Sequence, residues 1–173
     1  WAASSIPLEN LNYARLLPLR GDTVLMAYIA SGSPDGNTLY IRRMTTSGDT
    51  LGARLQVSLE GAGAVYDPML IPSGDSLIHL AWGVLDSAGV LTRLSLAGSR
   101  DRGLRWERSP DLVIEHGFDI PQAAVDSRGR LHIVARSEHD GAPHPIHAVW
   151  DGSAWRRSPI PAAPGVVSAG TPF

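Results

Sequence analysis

Carboxylates at two similar positions are the first residues in this sequence whose chemistry could serve a function. Asp67 stands directly before Pro68 in "YDPM", and Asp119 stands two residues before Pro121 in "DIPQ". Two carboxylates that converge on one cavity could act as a general acid and a general base, or accept hydrogen bonds from sugar hydroxyls. The alternative is that each aspartate caps the turn before its proline.

Other polar and aromatic side chains lie between apolar segments, where a ligand could contact them. Several of these residues neighbour the two aspartates, and another lies in the histidine-rich stretch "HDGAPHPIH" (139–147). Together with the aspartates they form the predicted ligand-binding set: Tyr66, Asp67, Glu115, His116, Asp119 and Asp140.

The same histidine-rich stretch could hold a metal ion, because imidazole nitrogens are common zinc ligands. However, a strand alternates its side chains between two faces, and His144 and His147 are an odd number of positions apart. The alternation favours an ordinary polar loop, and no metal site is predicted.

The composition excludes several classes of function. The 173 residues carry a net charge of −2, which gives no reason to expect a nucleic-acid partner. There is no cysteine, and all 15 basic residues are arginine, so thiolate and lysine chemistry are both excluded. No cofactor is predicted, and no apolar run is long enough to predict a membrane span.

A repeat indicates which elements position these residues. The segments "TVLMAYIA" (23–30), "SLIHLAWG" (76–83) and "RLHIVARS" (130–137) align on Ala27, Ala81 and Ala135, which are 54 residues apart. Each copy belongs to a unit of four short strand-like segments, and 18 glycines and 13 prolines favour many turns. A β-sandwich does not require such repetition, so the repeat predicts an all-β fold made of β-propeller blades.

The unit boundaries follow from the same alignment. Three four-stranded blades are predicted at 13–60, 66–114 and 119–161. "WAASSIP" (1–7) matches "WRRSPIP" (155–161), which predicts the last strand of a preceding blade, and 162–173 is expected to begin a following one. Three blades would leave unpaired sheet edges, so the chain is expected to be a segment of a six- to eight-bladed ring. The remaining blades would come from the parent chain or from another chain.

A short polar motif in the second unit has the composition of a constrained turn. Ser99-x-Asp101-x-Gly103-x-x-Trp106 resembles the Asp-box, the BNR repeat of sialidase-like propellers, with Arg105 where that family mostly has threonine. Serine and aspartate side chains accept hydrogen bonds from turn N–H groups, and glycine tolerates positive φ. A structural role is predicted for Ser99, Asp101, Gly103 and Trp106, with calcium or glycan binding there as the alternative.

The resemblance to sialidases implies a catalytic set of three arginines, a tyrosine with a glutamate partner, and an aspartate acid/base. The family's Phe-Arg-Ile-Pro motif is absent from the sequence, and Arg15 is the one arginine on a predicted innermost strand. The candidates for catalysis are therefore Arg15, Asp67 and Asp119.

Two functions remain open at this point. The sequence favours a non-catalytic, sialidase-like propeller module that binds carbohydrate or a macromolecular partner through its loop face. The alternative is a fragment of a glycoside hydrolase such as an exo-sialidase, so whether the protein is an enzyme is undecided. The resemblance alone implies a secreted or periplasmic location.

Overall fold

The computed structural model describes residues 11–33, 36–58, 63–117, 121–139 and 142–160, and these form twelve strands with no helix among them. The strands are β1 (Leu11–Pro18), β2 (Val24–Ser33), β3 (Gly36–Met44), β4 (Leu55–Gln56), β5 (Ala64–Ser73), β6 (Leu77–Leu85), β7 (Leu91–Ser99), β8 (Glu107–Gly117), β9 (Gln122–Val125), β10 (Leu131–His139), β11 (Ala142–Trp150) and β12 (Trp155–Pro159).

The strands form three antiparallel four-stranded sheets, each in simple sequence order. Blade one contains β1 to β4, blade two β5 to β8, and blade three β9 to β12. The predicted all-β propeller segment of three four-stranded blades is therefore confirmed. The predicted terminal strands at 1–7 and 162–173 lie outside the described residues, and the number of blades in the ring stays a prediction.

Each blade has two ends with different connections. The turns that join its first strand to its second, and its third to its fourth, lie at one end, which we call the turn face. The connections from second to third strand, and from one blade to the next, lie at the other end, which we call the loop face. Because β1, β5 and β9 are the first strands of their blades, their N-terminal residues lie toward the loop face.

The second strands of blades one and two are buried on both sides because the blades stack face to face, whereas β10 of blade three has one open side, where Val134 is 42% exposed. All seven residues from Ile78 to Val84 of β6 are buried, which explains why this strand is apolar on both faces apart from His79 rather than alternating. The aligned alanines Ala27, Ala81 and Ala135 lie on second strands and are at most 4% exposed. Small side chains at these positions fit the space between neighbouring blades.

Two apolar cores hold the three blades together. The first inter-blade core joins Leu25 and Leu39 of blade one to Leu80 and Trp82 of blade two. The second inter-blade core joins blade two to blade three, where residues such as Ile133 contribute. Blade two is thus packed on both of its faces.

The fourth strand of blade one has only two residues, although the sequence predicts a longer strand-like segment there. Its pairing with β3 continues by other means. The Val57 N–H donates to the Leu39 carbonyl at 2.9 Å, and the Leu39 N–H donates to the Ser58 hydroxyl at 3.0 Å. The buried Ser58 side chain therefore takes the place of a backbone acceptor.

No described segment forms a helix with the length and apolar character that crossing a membrane requires.

Candidate functional site

The first strands of the three blades line a common groove of about 290 Å³. Blade one contributes Arg15, blade two contributes Asp67 and Met69, and blade three contributes Gln122. The groove therefore combines polar and apolar side chains from all three blades, as ligand sites commonly do. We call it the inner groove.

A buried ion pair across two blades lies in the inner groove. The side chain of Asp67 is only 2% exposed, and its carboxylate accepts a hydrogen bond from the guanidinium of Arg15, which is 46% exposed. A buried carboxylate is costly unless it is paired, so Arg15 stabilises Asp67 in this position. Two of the three predicted catalytic candidates are thus brought together, although they are 52 residues apart in the sequence.

Irregular backbone positions these side chains. Tyr13 has φ of 49° and Asp67 has φ of 37°, values that residues other than glycine seldom adopt. Both residues coincide with breaks in strand register, one between β1 and β2 and one between β5 and β6. Such bulges redirect side chains and are common next to functional sites.

Two tyrosines in the N-terminal parts of β1 and β5 form an aromatic pair, close in sequence to Arg15 and Asp67. The rings of Tyr13 and Tyr66 meet edge to face, with centroids 5.2 Å apart. Burial of the Tyr66 hydroxyl raises its pKa above the usual 10.0, and the nearby Tyr13 and Asp67 add to this effect. Tyr66 therefore keeps its proton, and its hydroxyl is engaged with that of Tyr13.

Tyr13 is not among the site residues predicted from the sequence, although a signal for it is present there. Tyr13 precedes Ala27 by 14 residues, and Asp67 precedes Ala81 by the same 14 residues. The strand pairing agrees, because each lies two residues before the partner of its alanine, Arg15 or Met69, so Tyr13 occupies the position of Asp67 on the first strand of its blade.

The other predicted ligand-binding residues are only partly described. Asp119 and Asp140 lie outside the described residues, so the expected convergence of Asp67 with Asp119 stays a prediction. Glu115 and His116 belong to β8, the outermost strand of blade two, where only their backbone is described. Within the described residues, no group of three or more His, Asp or Glu side chains could hold a metal ion.

The Ser99–Trp106 turn is fixed by its own side chains. The Ser99 hydroxyl accepts a hydrogen bond from the Gly103 N–H at 2.7 Å and donates to the Asp101 carboxylate at 3.0 Å. The same carboxylate accepts the N–H group of Arg105 at 2.8 Å. The Trp106 indole N–H donates to the Gly103 carbonyl at 3.2 Å.

This turn also contacts the neighbouring blade. Gly103 has φ of 81°, and a Cβ placed on it would lie 2.9 Å from a methyl group of Leu25 in blade one. Trp106 packs against the first inter-blade core. The turn thus connects blades one and two at the turn face, but these contacts do not by themselves identify a sialidase-like family.

Three turn carboxylates have pKa values below the ordinary 3.8, because turn groups donate hydrogen bonds to them. The N–H of Arg105 lowers the pKa of Asp101, and the N–H of Arg130 lowers that of Asp126. The Ser153 hydroxyl and the N–H of Ala154 lower the pKa of Asp151 to about 2.

We expect the protein to lose stability in acid through these turns. The pKa of Asp151 is lower in the folded than in the unfolded state, so its contribution is present above pH 4 and is lost as the pH falls toward 2. Urea unfolding between pH 2 and pH 5 should therefore show stability rising with pH. The increase in the free energy of unfolding with pH should be smaller in Asp151→Asn. It should be unchanged in Asp75→Asn, which alters an exposed carboxylate. Equal slopes in all three proteins would contradict this assignment.

Comparisons with known proteins support the fold. The sequence matches no family model, and no curated protein is significantly similar to it. Among solved structures, a protein of unknown function from Dyadobacter fermentans aligns with a TM-score of 0.64 at 12% identity, over 90% of this chain and 57% of its own. An alpha-L-arabinanase from Penicillium chrysogenum, complexed with arabinobiose, aligns with a TM-score of 0.64 at 18% identity, over 91% of this chain and 51% of its own. An endo-arabinase from Bacteroides thetaiotaomicron aligns with a TM-score of 0.52 at 15% identity, over 90% and 57%.

The chain thus spans a little over half the length of these structures. At such low identity the similarity shows a shared propeller architecture, and it assigns neither an activity nor a ligand.

Proposed function

We propose that this protein is a non-catalytic propeller module that binds carbohydrate in the inner groove. The observation that carries the proposal is the Arg15–Asp67 pair, which two neighbouring blades hold in the groove next to the Tyr13–Tyr66 pair.

The chemistry of the groove suits a neutral polyhydroxylated ligand. Asp67 accepts hydrogen bonds, Arg15 donates them, and the Gln122 amide can do both, so adjacent hydroxyl groups could be bound in either role. Arg15 and Asp67 neutralise each other, which removes the attraction for an ion that either charge alone would exert. The exposed Tyr13 ring offers an apolar surface for the carbon face of a sugar.

The position of Asp67 supports binding rather than hydrolysis. Glycoside hydrolysis ordinarily needs two carboxyl groups on opposite sides of the scissile bond. Asp67 is the one carboxylate among the described groove-lining residues, and it is already paired with Arg15. Hydrolysis would therefore depend on a second acid, for which Asp119 is the candidate from the sequence.

The comparisons give this proposal a precedent without establishing it. Two of the structures with a similar fold are named as arabinanases, and one of them is complexed with arabinobiose. We therefore include arabinose oligomers among the ligands to test. The Asp-box resemblance adds sialosides to that set, and it is the basis for proposing a sialidase-like, secreted or periplasmic module.

The alternative function is a glycoside hydrolase fragment of the exo-sialidase type. The observation that favours it is the 46% exposure of Arg15, which leaves part of its guanidinium free to bind a ligand carboxylate. In that case Arg15, Asp67 and Asp119 would form part of the active site.

We expect substitutions in the inner groove to weaken sugar binding. Arabinobiose, longer arabinan oligomers and sialyllactose should be titrated by calorimetry. For the sugar that binds, Asp67→Asn and Arg15→Gln should each weaken affinity by about tenfold or more, because hydrogen bonds to charged groups are lost. Arg20→Gln is a matched control, since Arg20 is exposed and pairs with Asp75 at the turn face.

A second variant separates binding from folding. Because Asp67 is buried, Asp67→Asn could lower stability, whereas Tyr13→Ala removes a side chain that is 45% exposed. Tyr13→Ala should keep the unfolding midpoint and still lose affinity. Unchanged affinity in both Arg15→Gln and Tyr13→Ala would refute the inner groove as the site. Hydrolysis of a fluorogenic sialoside or arabinoside that Arg15→Ala abolishes would replace the binding function with the enzymatic one.

A further inference from the structure

A second and larger cleft lies at the turn face between blades two and three. Its volume is about 410 Å³. One wall is formed by blade two around His79, Arg100 and Glu107, and the other by the turns of blade three around Arg128 and Asp151. We call it the turn-face cleft. It is formed by other strands and turns than the inner groove.

The turn-face cleft is rich in positive charge, although the protein carries a net charge of −2. Four arginines line it, and the acidic side chains that line it are Glu107 and Asp151. Asp151 is already engaged, because it accepts hydrogen bonds from Ser153 and Ala154 and lies 3.3 Å from the guanidinium of Arg156. The arginines are Arg100, Arg108, Arg128 and Arg130.

Two of these arginines have carboxylate partners in the structure. Arg108 lies 3.1 Å from Asp111, and Arg130 lies 2.6 Å from Asp126. Among the residues that the structure describes, the guanidinium groups of Arg100 and Arg128 form no ion pair. They are exposed, and each presents a planar set of N–H donors that matches an oxyanion.

A buried histidine in the wall provides a second, independent observation. His79 is 6% exposed, and its Nε2 atom has no hydrogen-bond partner in the described part of the chain. Burial lowers the pKa of His79, and the charge of Arg100 lowers it further. Buried polar atoms are almost always hydrogen-bonded. The unpartnered ring nitrogen of His79 beside a cationic cleft therefore indicates that a bound group supplies the hydrogen bond.

We propose that the turn-face cleft binds a phosphate or sulfate group carried on a small organic molecule, with Arg100 and Arg128 as the principal contacts. The size of the cleft favours an ester over the bare ion. A water molecule occupies about 30 Å³ in the liquid, so an inorganic oxyanion would fill only a fraction of the available volume. The rest of the molecule would lie along the apolar and backbone surface near Leu77 and Gly129.

The test compares three probes at constant ionic strength, which sodium chloride maintains because salt screens such contacts. Inorganic phosphate, inorganic sulfate and glucose 6-phosphate are titrated into the protein, and binding is followed by calorimetry and by the ring signals of His79 in NMR spectra. Glucose 6-phosphate should bind most tightly and shift the His79 signals. Arg100→Gln and Arg128→Gln should each weaken its binding about tenfold.

Two further variants sharpen the result. Glu107→Gln removes an acidic lining residue that has no side-chain partner within the described ranges, so it should strengthen the binding of glucose 6-phosphate a few-fold. Arg20→Gln removes an exposed arginine outside the cleft and should leave the affinity for glucose 6-phosphate unchanged.

Three outcomes would count against the proposal. If none of the probes binds saturably, the cleft is not an oxyanion site. If Arg20→Gln weakens binding as much as Arg100→Gln, the attraction belongs to the general surface. If inorganic phosphate binds as tightly as glucose 6-phosphate, the ester is refuted and the bare oxyanion is the ligand.

Discussion

Replacing Trp82 with alanine is expected to lower the free energy of unfolding by about 3–5 kcal/mol, as for other large aromatic side chains removed from a core. Trp82 is 1% exposed and lies in the first inter-blade core, where it connects blade two to blade one. One more contact depends on it, because the guanidinium carbon of Arg108 lies 5.0 Å from the centre of its ring. The substitution would leave a cavity between two blades that cannot close without moving one sheet toward the other.

Equilibrium unfolding in urea, followed by circular dichroism, measures this effect. The free energy of unfolding of Trp82→Phe should lie between those of the unsubstituted protein and Trp82→Ala, since phenylalanine keeps an aromatic ring but is smaller than tryptophan. Val113→Ala is the control, because Val113 is 55% exposed on β8 and its truncation should change stability by no more than about 0.5 kcal/mol. A loss below about 1 kcal/mol in Trp82→Ala would mean that blades one and two are not held together through this ring.

The fold could be predicted from the sequence because the blades repeat the same burial pattern. Ala27, Ala81 and Ala135 lie on second strands and are each at most 4% exposed, so a small apolar side chain is required at this position in every copy. That requirement appears in the sequence as a run of apolar residues at a constant spacing. The prediction of three four-stranded sheets therefore rests on a packing requirement that recurs on the second strand of every blade.

The candidate sites are harder to predict because they depend on contacts between blades. From the sequence, Arg15 is a candidate for binding a ligand carboxylate, but in the structure Arg15 pairs with Asp67 of the next blade. That pairing requires the bulge at Asp67, and a single residue in an irregular backbone conformation leaves no periodic signal. The pairing of β1 with β5 side chains cannot be inferred from either strand alone.

The turn-face cleft is hidden in the sequence for a related reason. Arg100 stands at a variable position of the Ser99–Trp106 turn and Arg128 belongs to a turn of another blade, so no shared motif links the two arginines. His79 is the one polar residue of the strand Leu77–Leu85, and it is 6% exposed, as a packing residue would be. Only the three-dimensional structure shows that its Nε2 lacks a partner among the described residues and that the arginines lie around it.

The Ser99–Trp106 turn supplies the second large prediction, since its glycine meets two constraints at once. Gly103→Ala should destabilise the protein by about 2–5 kcal/mol. A left-handed conformation costs a residue with a Cβ about 1–2 kcal/mol, and overpacking a core adds about 1–3 kcal/mol. Here φ is 81°, and the new methyl group would lie 2.9 Å from Leu25, which is fully buried and has no free space to move into.

Gly74→Ala separates the two constraints, because Gly74 has φ of 75° but a Cβ placed on it would meet no atom within 4 Å. Its free energy of unfolding should therefore fall only by the cost of the left-handed backbone conformation, about 1–2 kcal/mol. The difference between the two variants in urea unfolding measures the contact of the turn with blade one. A Leu25→Ala background should reduce that difference, since it removes the methyl groups that the new Cβ would meet. If both glycine variants lose the same stability, the turn does not press against blade one, and the motif stabilises its own blade alone.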